Sequence, residues 1–141
     1  MSLLGAVALT MAILIAAVLG IVRHLRTGRL RAAADGAARL TAADLRADAL
    51  GERATLVHFS SAFCRPCVAV RHILHDVAER VPGVEAVEVD AEANLELVRR
   101  LNIASTPTTL LLDAAGIERK RATGVPKRDQ VLAALSEVHG G

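Results

Sequence analysis

Cys64 and Cys67 are the only two cysteines in 141 residues. They stand three positions apart in Phe63-Cys64-Arg65-Pro66-Cys67. A pair at this spacing can exchange electrons with a disulfide or hold a soft metal such as zinc. The flanking residues bear on the choice. Thr55-Leu56-Val57-His58-Phe59 reads as a buried strand, and Cys67, Val70, Ile73, Leu74, Val77 and Val81 recur at helical spacing. Cys64 therefore falls where a strand hands over to a helix N-terminus. There, unpaired backbone N–H groups and the positive end of the helix dipole favour an anion, so its thiol is expected to lose a proton more readily than a free one. Pro66 suits the first turn and leaves Cys67 one turn in, within reach of a disulfide with Cys64. An exposed attacker beside a sheltered resolver is the arrangement that thiol–disulfide exchange needs.

Zinc would have to recruit His72 and His75. Cys64 and His72 are separated by eight helical residues, roughly 12 Å, too far for two ligand bonds of about 2 Å each. The two histidines read as solvated helix surface, and neither a metal nor another cofactor is expected. Two cysteines do not make a disulfide scaffold, and C-x-x-C beside a βαβ-like pattern is a redox signature of a reducing compartment.

Residues 3–22 carry no charge, and Thr10 is their only polar side chain. Twenty such residues span roughly 30 Å as a helix, the thickness of a bilayer core. An uncleaved transmembrane anchor is preferred to a signal peptide, because the run is longer than an h-region and only Met1-Ser2 precedes it. Arg23, His24, Arg26, Arg29 and Arg31 follow, and no basic side chain lies on the other flank. That asymmetry predicts a single-pass protein of the cell membrane with its N-terminus out and its C-terminal part in the cytoplasm; an extracytoplasmic domain is the alternative. Residues 1–40 hold five arginines against one aspartate, whereas the remainder has 12 basic and 14 acidic side chains. The net charge of +2 is thus a membrane-flank effect and does not argue for nucleic acid. The basic cluster itself reads as a topology signal with some attraction to anionic lipid, in preference to a specific binding patch.

The expected organisation is an anchor over 1–22, a basic and at most weakly helical linker over 23–36 closed by a turn at Asp35-Gly36, and a folded domain over 37–141. Within the domain a short strand is expected at 37–40, and a helix opens at Thr41 with Asp44 three residues on and ends near Gly51. A strand at 54–60, the cysteine helix at 64–81, a strand at 84–90 and a helix at 94–101 follow. A hairpin of 108–113 with 117–123 and a helix at 127–138 complete the chain. Two strands joined through a helix imply a parallel, right-handed crossover. The fold class is α/β, a mixed central sheet with helices on both faces, preceded by one transmembrane helix.

This order of elements, with Phe63-Cys64-Arg65-Pro66-Cys67 after a strand, Val89-Asp90 closing the next, Thr106-Pro107-Thr108 before the hairpin and Gly124 after it, resembles thioredoxin over about residues 37–138. The resemblance implies a thiol–disulfide oxidoreductase. In it Cys64 attacks a substrate disulfide, Cys67 resolves the mixed disulfide, and a thiol reductase restores the dithiol. It implies that Pro107 is a cis-proline opposite the cysteines, with Phe63, Thr106 and Pro107 receiving an extended protein substrate. Thioredoxins usually have Trp and Gly where this chain has Phe63 and Arg65. The Arg65 guanidinium is expected to favour the Cys64 thiolate and a more oxidising pair. His58 stands where the family has a buried Asp that handles the proton of the second cysteine, so His58 is a possible proton shuttle, weighed against a simple core histidine. Two other readings keep the fold: a non-catalytic adaptor, and an extracytoplasmic relative in cytochrome maturation.

Overall fold

The computed structural model describes residues 2–33 and 36–139. Helix α1, Leu3–Arg26, is capped by Ser2 and buries none of its side chains. Strand β1 is Arg31–Ala32 and β2 is Ala54–Ser60; α2 is Arg65–Arg80 and β3 is Val84–Asp90. Helix α3, Leu95–Arg100, precedes β4, Thr108–Asp113, β5, Glu118–Thr123, and α4, Arg128–His139. The five strands form one sheet in the order β1-β5-β4-β2-β3.

β2 lies inside the sheet, and all seven of its residues are buried. It pairs in parallel with β3 from Ala54↔Val84 to Ser60↔Asp90, and antiparallel with β4 from Ala54↔Asp113 to Phe59↔Thr108. Because side chains alternate along a strand, β2 feeds two cores. Ala54 and Leu56 join Val70, Leu74 and Val77 of α2 and Val131, Ala134 and Leu135 of α4. Val57 and Phe59 join Leu97 of α3, Leu101 and the loop residues Leu40 and Leu45 on the opposite face. The sheet is mixed and covered on both faces, as expected. Asp76 locks the helical layer by pairing with Arg80 at 2.9 Å and with Arg128 of α4 at 2.8 Å.

The hairpin turns at Gly116, whose φ of +78° favours glycine and where a Cβ would run into the carbonyl oxygen of Leu40. Asp113 organises the same turn, its carboxylate accepting from the N–H groups of Ala115 at 2.9 Å and Ile117 at 3.0 Å.

Three expectations are corrected at the N-terminal side. The predicted helix from Thr41 to Gly51 is only a set of turns. Its cap forms, with Thr41 N–H donating to Asp44 at 2.8 Å and Asp44 N–H donating back to Thr41 at 3.2 Å. The helix then stops because Arg46 takes φ +52°, a left-handed geometry that cannot propagate. The competing tertiary demand is burial of Leu40 and Leu45 in the second core and pairing of Asp44 with Arg100 at 2.8 Å. The predicted strand at 37–40 is a single bridge, Arg39↔Ile117, flanked by two backbone hydrogen bonds. Where the sequence reads a weakly helical linker over 23–36, α1 runs on to Arg26 and β1 adds to the sheet edge, Arg31↔Arg121 and Ala32↔Lys120. Strand addition uses backbone groups and so leaves little mark in side-chain pattern. Of the predicted Asp35-Gly36 turn, Asp35 lies outside the described residues, and Gly36 has φ +88°.

Candidate active site

β2 delivers the chain from the middle of the sheet, and α2 carries it away. Cys64 is the residue at the junction: it is the N-cap of α2, extended at φ −89° and ψ 95°, with Pro66 in the first turn. The Cys67 N–H donates to the Cys64 carbonyl at 3.3 Å, so the four residues close a tight turn. Cys64 and Cys67 are joined by a disulfide, with their Cα atoms 5.3 Å apart. Cys64 is half-buried while Cys67 is 2% exposed, on the face of α2 that also buries Val70, Leu74 and Val77. The accessible and sheltered positions expected for the pair are both present.

Arg65 and Pro66 are exposed beside the disulfide. Phe63 is 95% exposed, whereas the other phenylalanine of the chain, Phe59, is fully buried. The Thr106–Pro107 peptide bond is cis, with Pro107 buried and Thr106 half-buried. The Thr106 hydroxyl lies 3.0 Å from that of Ser61, which ties the loop before the hairpin to the loop before Cys64. Pro107 O accepts from Gly124 N–H at 2.9 Å. Ser61 was not singled out in the sequence; its only signal there is a hydroxyl between a buried strand and the cysteines.

His58 sits on β2, 2% exposed, on the face covered by α2. Neither ring nitrogen has a hydrogen-bond partner among the described residues, and the same holds for the hydroxyl of Thr109, its cross-strand neighbour on β4. A buried polar group without a partner costs about 1–3 kcal/mol, which makes it a place to look for function. Burial pushes the basicity of His58 down; nearby Glu88 opposes that, and Arg71 and His75 reinforce it. The ring borders a recess shared with Arg71, His75 and Glu88. Glu88, the β3 residue in register with His58, accepts from Arg71 at 2.6 and 2.7 Å and from Ser60 at 2.7 Å. The Arg71 hydrogen bonds, with smaller help from Ser60, hold its carboxyl at about 2. The sequence reading missed this Glu88-Arg71-Ser60 network, because its partners lie on different elements. Among the described residues no cluster of three or more His, Cys, Asp or Glu is arranged to hold a metal, and His72 and His75 do not converge on the cysteines.

The thioredoxin family model matches residues 38–137, which take in the disulfide, His58 and the cis-proline loop. The chain belongs to the thioredoxin family. It is 31% identical to thioredoxin of Mycobacterium tuberculosis over 102 residues, 71% of this chain and 87% of that protein. Thioredoxin of Chlamydia trachomatis is 26% identical over 91 residues, 64% of this chain and 88% of its own. A bifunctional thioredoxin reductase/thioredoxin of Mycobacterium leprae is 31% identical over 101 residues, 70% of this chain but 22% of that longer protein. Among solved structures, chloroplastic thioredoxin z superposes with a TM-score of 0.58 at 26% identity, covering 64% of this chain and 81% of its own. Spinach chloroplast thioredoxin f gives 0.54 at 25%, covering 62% and 78%. This thioredoxin-fold protein is therefore a thiol–disulfide oxidoreductase, with Cys64 and Cys67 as its redox pair.

Proposed function

We propose that the protein is a membrane-tethered thioredoxin whose domain faces the cytoplasm and reduces disulfides of other proteins. The observation that carries the chemistry is the asymmetry of the pair: Cys64 is half-exposed at the N-cap of α2, and Cys67 is buried behind it. In the dithiol form the Cys64 thiolate attacks one sulfur of a substrate disulfide, forming a mixed disulfide and expelling the other sulfur as a thiolate. Cys67 then attacks the Cys64 sulfur, which closes the Cys64–Cys67 disulfide and releases the second substrate thiol. Two electrons have passed to the substrate. The helix N-terminus and the Arg65 guanidinium favour the first thiolate. To His58 we assign the proton that Cys67 gives up, a reading supported by a buried ring whose two nitrogens have no hydrogen-bond partner among the described residues. Phe63, Thr106 and Pro107 form the docking surface, the Ser61–Thr106 contact holding its two loops together. An extended substrate segment can lay its backbone along Thr106.

A thiol reductase is the electron donor on this reading. Support comes from the M. leprae relative, whose name joins a thioredoxin to its reductase in one protein. Tethering is supported by α1, a 24-residue apolar helix with no buried side chains, and the cytoplasmic orientation by the arginines that follow its apolar run. The test of the roles is trapping. Cys67→Ser should accumulate mixed disulfides with cellular proteins, resolved on non-reducing gels, and Cys64→Ser should trap few. Equal trapping by the two variants would reverse or abolish the assignment.

A further inference from the structure

The sequence alone presents Arg23, Arg26, Arg29 and Arg31 as a diffuse basic flank. In the folded chain they come together with two arginines from distant elements. The last turns of α1 carry Arg23 and Arg26. The chain then reverses at Gly28, whose φ is +81° and whose position leaves no room for a Cβ against the Val125 carbonyl. The Gly28 N–H donates to the Thr123 carbonyl, and β1 docks on β5. The result is a cleft of about 770 Å³ lined by Arg23, Arg26, Arg29, Arg31, Arg100 and Arg121. Its size lies within the range of small-ligand sites, about 300–1,000 Å³.

Two of these arginines are already engaged. Arg121 holds the buried Glu118 through two hydrogen bonds of 2.6 and 2.9 Å, and Arg100 pairs with Asp44. No ion pair among the described residues involves Arg23, Arg26, Arg29 or Arg31. Among the described residues Glu118 is the one carboxylate of the lining; it is 4% exposed and held by Arg121, so the described wall of the cleft is cationic. The cleft also lies at the β1-β5 edge of the sheet, two strands away from the β2 that leads to the cysteines. It is not part of the redox site.

What it faces follows from α1. The apolar run ends at Val22, and Arg23 opens the cleft one residue later. If α1 spans a bilayer, as proposed above and as this inference requires, the cleft sits at headgroup depth. Arginine forks match phosphate oxygens in geometry as well as charge. We propose that the cleft seats the phosphodiester headgroup of an anionic membrane lipid, and so fixes the redox domain against the membrane surface. The flank arginines then bind a particular lipid molecule in a built site, beyond serving as a topology signal.

The test uses the full chain in a neutral detergent micelle, offered phosphatidylglycerol and phosphatidylcholine in equal amounts, with retained lipid counted by native mass spectrometry. Phosphatidylglycerol should be retained roughly tenfold over phosphatidylcholine, and the double variant Arg29→Gln, Arg31→Gln should lose that preference. Lys127→Gln, an exposed charge outside the cleft, should keep it. Retained disulfide reductase activity in the double variant confirms that it is folded. Equal retention of the two lipids by the native chain overturns the proposal, as does a preference that survives the double substitution. Displacement of the lipid by excess inorganic phosphate would also overturn it, since the site would then serve a free anion. The anchor is read separately, by carbonate-resistant flotation of the full chain with pure phosphatidylcholine vesicles. Failure there sinks the tether, whereas flotation without anionic preference sinks only the cleft.

Discussion

Two side chains at the site are placed against their chemical type: an aromatic ring in water and an imidazole in the core. Phe63 is 95% exposed beside Cys64, so it buries almost none of its ring against the described residues. Its work is therefore to be measured on substrates. Phe63→Ala should raise KM several-fold for a folded protein disulfide while leaving reduction of a small aromatic disulfide nearly unchanged; equal effects on both would remove it from the docking surface. His58 has the opposite problem. In the folded chain, burial holds its ring neutral to a lower pH than in the unfolded chain, so the unfolded state takes up a proton first as pH falls below about 6.5. Folding stability should therefore decline from about pH 6.5 downward. Below about 4.5, Glu88, held at about 2 chiefly by Arg71, adds a loss of the same sign. Urea unfolding of the detergent-solubilised chain at pH 7.5 and 5.5 should show the drop, and His58→Leu should flatten it. A slope unchanged by that substitution would mean that some other group carries the titration.

At the scale of elements, α2 both presents the disulfide and pins it to the sheet. Val70, Leu74 and Val77 are at most 1% exposed and meet Ala54, Leu56 and Leu111 of the sheet in one cluster. Leu74→Ala removes the middle of that contact and should cost about 2–5 kcal/mol by denaturant titration. Val68, on the same helix but half-exposed, should tolerate Ala within about 0.5 kcal/mol. Comparable losses at both positions would show that the helix does not hold its buried face as described. The cysteines belong to the same argument, since Cys67 shares the buried stripe and Cys64 caps the end. Loosening the stripe should therefore also slow resolution of the mixed disulfide.

At the scale of the whole molecule the proposed tether makes the side of the membrane decisive, because the redox poise of the compartment decides whether the pair works as reductant or oxidant. With the arginine flank retained inside, a membrane-impermeant thiol reagent applied to intact cells should leave Cys64 unlabelled, and lysis under mild reduction should expose it. Labelling of intact cells would place the domain outside and replace the reductase reading with an oxidising or isomerising one.

How much of this was legible in the chain differs by the kind of signal. The C-x-x-C pair, the strand before it, the amphipathic stripe after it and the hairpin behind Thr106-Pro107 could be read directly, because periodicity and turn residues are local and each element's buried face is written in its own residues. The turns at 41–50 could not be read, since Thr41 and Asp44 form a true helix cap that is then overruled by burial of Leu40 and Leu45 and by Arg100 on another element. Strand β1 could not be read either, because edge pairing is made by backbone groups of residues that look like a linker. The Ser61–Thr106 contact joins residues 45 positions apart, and Glu88 reaches Arg71 across 17. The six-arginine cleft draws on α1, β1, α3 and β5 together. Sequence fixes what is periodic along the chain. Which polar side chains meet is decided only when the sheet brings distant elements within hydrogen-bonding distance, since a bond of about 3 Å depends on spatial position and not on separation along the chain.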